Sequence, residues 1–441
     1  MSEGAGFPYL EAEFTVDGTL NPPGQVAAIS TFVQSAPAPT DLLVLSHGWN
    51  NDVEDARALY RTLLDSMRGL LGATPSSDDL AVLGVLWPSK KFADASLIPG
   101  GGVASAEADT AALAAKLDRL KAGLAPDRAA LIDEAKAALG DLENRRAARS
   151  LFLDRLRQAL ERGPSGEPDA SDQFFAEDAE ELFANLETPI LLLTPPSDSG
   201  GVTGGIGGVG GAGAAGGEAA GLVDFASGIV AAADRLVNYA TYYQMKARAG
   251  TIGSGLSKLL DRMRGERPDL RIHLCGHSFG ARVVTAAALG AGVAVQPSSL
   301  TLLQAAFSHN GFSGGFTFNS SRVQGFFRPV VADHRIKGPI VVTHTANDKA
   351  VGVAYAIASR LARQTNADLG DADDVFGGLG RNGAVHTAES VAGTLLPPGQ
   401  RYELKPGAIH NLKADQFVAD HGDVTNPAVA NALLAAIGRQ A

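Results

Sequence analysis

The sequence predicts an α/β fold: a mostly parallel sheet flanked by helices and interrupted by one long helical insertion. Three observations carry that expectation. Short apolar runs that end in turn residues alternate with helical patterns toward both ends of the chain, as strand–helix–strand units require. The alternation lapses for about 180 residues between Pro88 and Arg271, several times what one crossover helix needs. The 441 residues are 45% hydrophobic and 19% charged, an ordinary globular composition with enough apolar side chains for a large core.

Taken in order, Tyr9 to Asp17 alternates in character and reads as a first edge strand. Leu42–Leu45 is a buried-type strand running into Ser46-His47-Gly48. Ala56, Leu59, Leu63 and Leu64 recur at helical spacing, with Asn51 or Asp52 in reach as the N-cap. Leu80–Leu86 is the next strand, stopped by Trp87-Pro88. Within the insertion, Leu113, Leu117, Leu120 and Leu124 form a helical seam, Leu151–Leu160 a second helix and Ser171–Leu186 a third, acidic one. Residues 200–217 contain eleven glycines in eighteen positions, which predicts a flexible linker. No Gly-Lys-Ser/Thr follows, so a phosphate-cradling loop is not expected. Residues 228–263 read as one or two helices leading back to the sheet. Alternation then resumes with a strand at 270–275, a helix at 279–289, strands at 299–306 and 339–345, a helix at 351–364, a strand at 401–405 and a closing helix at 427–437. The chain therefore divides into a core domain, 1–90 with 226–441, and an insert, 91–225.

Composition also excludes some classes. A net charge of −11 without a basic patch makes nucleic acid an unsuitable partner. The lone Cys275 forbids an internal disulfide and reads as a small core residue beside a turn. No run of about 18 apolar residues suggests a membrane span. Met1–Leu10 lacks a basic segment followed by an apolar one, so the expected compartment is the cytoplasm. His, Cys, Asp and Glu fall at no metal-ligand spacing, and neither metal nor cofactor is expected.

Chemistry concentrates at Gly276-His277-Ser278-Phe279-Gly280. This G-x-S-x-G follows an apolar strand and opens an Ala-rich helix, the frame in which a serine sits on a strained turn with its hydroxyl exposed. A serine hydroxyl needs a base, and the base an orienting acid, which follow here in the order Ser, acid, His. Asp348 lies just past the strand at 339–345, at the carboxyl edge of the sheet; Asp333 and Asp374 do not directly end a strand. His421, in a short loop before the last helix, is the favoured base over His410 and His386. Backbone N–H groups of Phe279 and Trp49 are the candidate donors to an oxyanion, with His47 bracing the loop that carries Trp49. His277, Phe307 and His309 are candidate substrate-pocket residues; His309 and His344 both end strands near the site, and for these two a structural role is the favoured reading over lining the pocket.

His47-Gly48-Trp49-Asn50-Asn51, Trp87-Pro88-Ser89, Gly276-His277-Ser278-Phe279-Gly280 and the run around Asp348 resemble those of bacterial serine esterases and lipases of the α/β-hydrolase superfamily. The resemblance covers about residues 9–90 and 225–440. It implies an eight-stranded sheet, a triad of Ser278, His421 and Asp348, an acyl-enzyme intermediate, and a small-molecule or lipid-like ester as substrate. Amide hydrolysis or acyl transfer would use the same triad, and a binding or scaffold protein on the same fold is an alternative of another class. The insert, following the fourth-strand position, is expected to act as a lid, or as an arm for homo-oligomers along its leucine seam. One departure is the segment from Ala350 to Gln400, longer than a single connecting helix needs.

Overall fold

The computed structural model describes residues 2–34, 39–49, 51–72, 79–89, 110–160, 169–188, 191–192, 221–222, 227–361 and 374–440. The glycine tract 200–217 and the ends of the insert lie outside the described residues.

A nine-stranded sheet organises the chain. Its strands are β1 (Ser2–Gly4), β2 (Phe7–Glu13), β3 (Asp41–Ser46), β4 (Leu80–Leu86), β5 (Arg271–His277), β6 (Ser299–Leu303), β7 (Ile340–His344), β8 (Ser390–Thr394) and β9 (Ile409–Lys413). They lie in the order β1-β2-β4-β3-β5-β6-β7-β9-β8. Eight strands run parallel, and β1 alone is antiparallel, to β2. The outer edge is therefore β1 rather than the strand that follows it.

Helices cover both faces, which is why the central strands are continuous apolar runs. Along β3, Leu42 and Val44 join the core on one face while Leu43 and Leu45 join the core on the other, the two-residue period of a strand. Helices α1 (Gln25–Gln34), α8 (Ile229–Glu266) and α9 (Phe279–Gly290) contribute to the first core. Helices α2 (Val53–Leu71) and α11 (Pro427–Ile437) build the second. Asp52 caps α2 in a reciprocal box: its side chain accepts the Asp55 N–H at 2.8 Å while Asp55 accepts its N–H at 3.1 Å.

The insert contributes α3 (Thr110–Lys121), α4 (Pro126–Ala137), α5 (Arg146–Ala159), α6 (Ser171–Ala176) and α7 (Ala179–Leu186). The expected single acidic helix is thus two, parted at Glu177-Asp178, where the Asp178 side chain caps α7. Leu113, Leu117 and Leu120 are buried inside the chain, in one core with α8, and Lys116 pairs with Asp234 of α8 at 2.6 Å. The seam meets a helix of its own chain, which removes the observation that favoured an oligomerisation arm. The stretch expected to hold one or two helices is a single helix, α8, of 38 residues from Ile229 to Glu266. Among the described residues, no helix is long and apolar enough to cross a membrane.

After β7 come α10 (Lys349–Leu361) and the segment that departs from the expected pattern. Residues 401–405 form no strand. Their backbone donors go to side chains instead, Tyr402 N–H to Gln440 Oε1 at 2.6 Å and Lys405 N–H to His410 Nε2 at 2.8 Å. The strands lie on either side, at β8 and β9, and β9 inserts between β7 and β8.

Candidate active site

Ser278 sits between the end of β5 and the start of α9 with φ 56° and ψ −123°, a region costly for a residue with a Cβ. The flanking glycines make that turn buildable. A Cβ on Gly280 would run into the carbonyl oxygens of Ser46 and His47, and one on Gly276 into the Gly280 backbone. Ser278 N–H donates to Leu303 O at 3.0 Å, and its carbonyl accepts Ala306 N–H at 3.1 Å, so the turn is fixed to β6 and the loop after it.

His421 approaches from the loop before α11. Its Nε2 lies 2.9 Å from Ser278 Oγ and its Nδ1 2.8 Å from Asp348 Oδ2. Asp348 is fully buried, and its other oxygen accepts Val351 N–H at 2.9 Å. It therefore caps α10 and faces His421 at once; the N-cap role and the acid role are compatible. The Asp348 contact assigns the proton on His421 to Nδ1, which leaves the Nε2 lone pair toward the serine hydroxyl. Burial works against the charged imidazolium, but the charge and hydrogen bond of Asp348 outweigh it and hold the His421 pKa above its ordinary 6.5.

The loop after β3 forms the third side. Gly48 presses so close that a Cβ there would be 2.7 Å from Ser278 Cβ, which brings the Gly48–Trp49 peptide beside the nucleophile candidate. The Trp49 ring meets Phe279 edge-on at 5.9 Å. Phe279 is the first residue of α9, so its N–H has no partner inside the helix. His47 is buried under this loop: Nε2 accepts Trp87 N–H at 3.2 Å, its ring stacks on Trp87, and burial pushes its pKa down to about 4. It braces the loop, as expected.

These groups open into a cavity of about 590 Å³, within the range of small-molecule sites. Its walls come from Leu59 of α2, Tyr239 and Tyr242 of α8, and Val351, Ala354 and Ile357 of α10, with Asn51, Asp55, Asn238 and Asp420 as polar members. Sequence reasoning missed the α8 and α10 faces. Their signal is the helical spacing of Tyr239 with Tyr242, and of Ala350 with Ala354 and Ile357.

His277, expected at the pocket, does line it. Phe307 and His309 do not. Phe307 packs against Phe312 and Phe327, 5.8 and 5.0 Å away. His309 is fully buried, with Nε2 accepting Gly377 N–H and Nδ1 3.1 Å from Asn382 Nδ2. His344 is likewise outside the cavity lining. The alternative bases are held elsewhere: His410 at the amino end of β9 beside Lys405, and His386 against Asn310 at 2.8 Å. Asp374 accepts from Ser359 at 2.5 Å, and Asp333 stands beside Arg335. Cys275 is a buried thiol whose pKa burial pushes up to about 12, too high for a nucleophile.

No family model, curated protein or solved structure matches this chain. Among the described residues no group of His, Cys, Asp and Glu is arranged to hold a metal ion.

Proposed function

We propose that the chain is a serine hydrolase of the α/β-hydrolase type that cleaves carboxylic esters. The observation carrying this reading is the relay Asp348–His421–Ser278, two contacts of 2.8 and 2.9 Å, opening into a largely apolar cavity. Ser278 Oγ attacks the acyl carbon while His421 Nε2 takes its proton and Asp348 stabilises the imidazolium. The C–O bond to the alcohol then breaks, and His421 returns the proton to the leaving oxygen. Water, deprotonated by the same nitrogen, releases the acid and regenerates Ser278. The N–H groups of Phe279 and Trp49 receive the oxyanion, and the helix α9 N-terminus adds positive potential there.

Apolar side chains of Leu59, Val351 and Ile357 suit the acyl chain of a small or lipid-like ester. The insert's described helices contribute no lining residue; α3, α5 and α7 instead pack on α8, and α7 also packs on α10, the two helices that wall the cavity. The test is labelling with a fluorophosphonate probe, peptide mapping, and turnover of nitrophenyl esters of rising chain length. The expected outcome is a single label on Ser278 and ester turnover that Ser278→Ala lowers on the order of 10⁶-fold. A folded protein that takes no label and turns over no ester would make it a binding protein on this fold. Turnover confined to amides, or acyl transfer to an amine, would move it to those classes.

A further inference from the structure

On the reading of Ser278 as nucleophile and His421 as base, the residue directly before the serine gains a role of its own. His277 ends β5 and is 7% exposed, yet it lines the cavity. Its Nε2 lies 2.8 Å from the backbone carbonyl oxygen of His421, and the two rings are 4.8 Å apart. A carbonyl can only accept, so the proton of His277 is on Nε2 and Nδ1 carries a lone pair. That Nδ1 is buried without a hydrogen-bond partner among the described residues. It faces the other loop of the site: a Cβ on Gly48 would stand 3.1 Å from it. Burial, with His421 alongside, pushes its pKa down to about 3, so the ring stays neutral wherever the base is competent.

His277 thus has its single donor committed to the backbone of the base and its opposite edge against the Gly48 loop. The segment carrying His421 has no ladder of its own. Asp420 accepts Gly422 and Asp423 N–H, and Asn347 Nδ2 donates to Val418 O at 2.8 Å. These bonds close the turn and fix its start, but they do not tie the His421 peptide to β5. The His277 bond does. We propose that His277 is a positioning residue, a neutral wedge between the Gly48 and His421 loops that holds the base's backbone so that Nε2 stays within hydrogen-bond range of Ser278 Oγ. With Nε2–H engaged by the His421 carbonyl, His277 has no donor left to offer a substrate.

The test compares H277Q with H277M, two side chains of similar length of which only Gln carries an N–H that can reach the His421 carbonyl. With the full chain and a nitrophenyl ester, H277Q is expected to keep kcat within a few-fold. H277M should lose kcat about tenfold to a hundredfold with KM nearly unchanged, the scale of a catalytic group displaced by about an ångström. Its kcat/KM profile should also shift to lower pH as His421 loosens from Asp348. The Nδ1 proton resonance of His421 should persist in H277Q and exchange-broaden in H277M, a readout that needs no turnover. If wild type hydrolyses nothing while the resonance still separates the variants, the ester reading fails and the wedge stands. Equal kcat, pH profile and resonance in all three proteins would overturn the wedge, as would equal losses in H277Q and H277M. Should H277M not fold, H277N, whose amide is too short to span the gap, takes its place with the same expectations.

Discussion

Ser278 holds a backbone conformation that its neighbours must enforce, and Gly276 and Gly280 are where that enforcement is made. Gly280→Ala would drive a methyl into the carbonyls of Ser46 and His47 and should lower stability by about 1–3 kcal/mol, read from urea unfolding, with activity falling alongside. With His421 as the proposed base, the sign of the pH dependence follows from its raised pKa. Only neutral imidazole accepts the serine proton, so kcat/KM should rise with pH through a midpoint above 6.5. The charged His421–Asp348 pair stabilises the fold in the opposite sense: its contribution is full below pH 6.5 and is lost as pH rises through the raised value. Asp348→Asn should lower kcat about 10⁴-fold and remove that upward shift, as a pH–rate profile would show. Ser278, Asp348 and His421 were legible in the sequence because the first two follow strand ends and the third lies in the short loop before the last helix, in a fixed chain order. Phe307 was misread, and His309 takes the structural role and not the pocket one, because nearness to a strand end does not say which way a side chain points.

Helices rather than loops make most of the cavity wall, and α8 is the element with the largest reach. Tyr239 and Tyr242 lie on its cavity face, and the Tyr242 hydroxyl donates to that of Tyr355 at 2.7 Å. Behind that wall is a second, much smaller void of about 20 Å³ that shares Tyr239, Tyr242 and Ala354 with the first. Removing the ring with Tyr242→Ala should join the two spaces, and the preferred nitrophenyl ester should lengthen. An unchanged optimum with uniformly lower rates would mean that Tyr242 only supports packing. Most elements were visible as apolar periodicity: β4, α9 and α11 fall at or within a residue or so of the expected bounds. The strand expected at 401–405 fails for a physical reason. Its alternation comes from Tyr402 reaching into the core from a loop, while β8, Ser-Val-Ala-Gly-Thr, is exposed along most of its length and carries weak strand formers.

At the scale of the whole molecule, the sheet is tied together at the edge opposite the site. Asp41 on β3 is fully buried and accepts from Arg271 at 2.6 and 2.7 Å, His273 at 3.0 Å and Arg439 at 2.7 Å. Burial alone would raise its pKa, but hydrogen bonds from His273, Arg271 and Arg439 hold it well below the ordinary 3.8. Such a group stabilises the fold above its unfolded value and loses that contribution as pH falls toward the folded one. Asp41→Ala should cost about 3–5 kcal/mol at neutral pH, the scale of breaking a buried pair. The gap from wild type in urea unfolding should narrow below pH 3.8. The parallel core was legible because continuous apolar strands admit few arrangements. The packing of the insert was not, because a leucine seam looks the same whether its partner is in the same chain or in another copy.

A single unbroken α8 has a consequence of phase. About two thirds of the way along, Gly253 lets it press against Ala286 and the Val283 carbonyl of α9, the helix that Ser278 precedes. Eleven residues earlier it presents Tyr242 to the cavity. Adding one residue between these points would turn the upstream half by about 100° and advance it about 1.5 Å, rotating both tyrosines away from the cavity while leaving Ser278 in place. A seven-residue addition, close to two full turns, would nearly restore the orientation, so the length of this segment is set by angle as much as by distance.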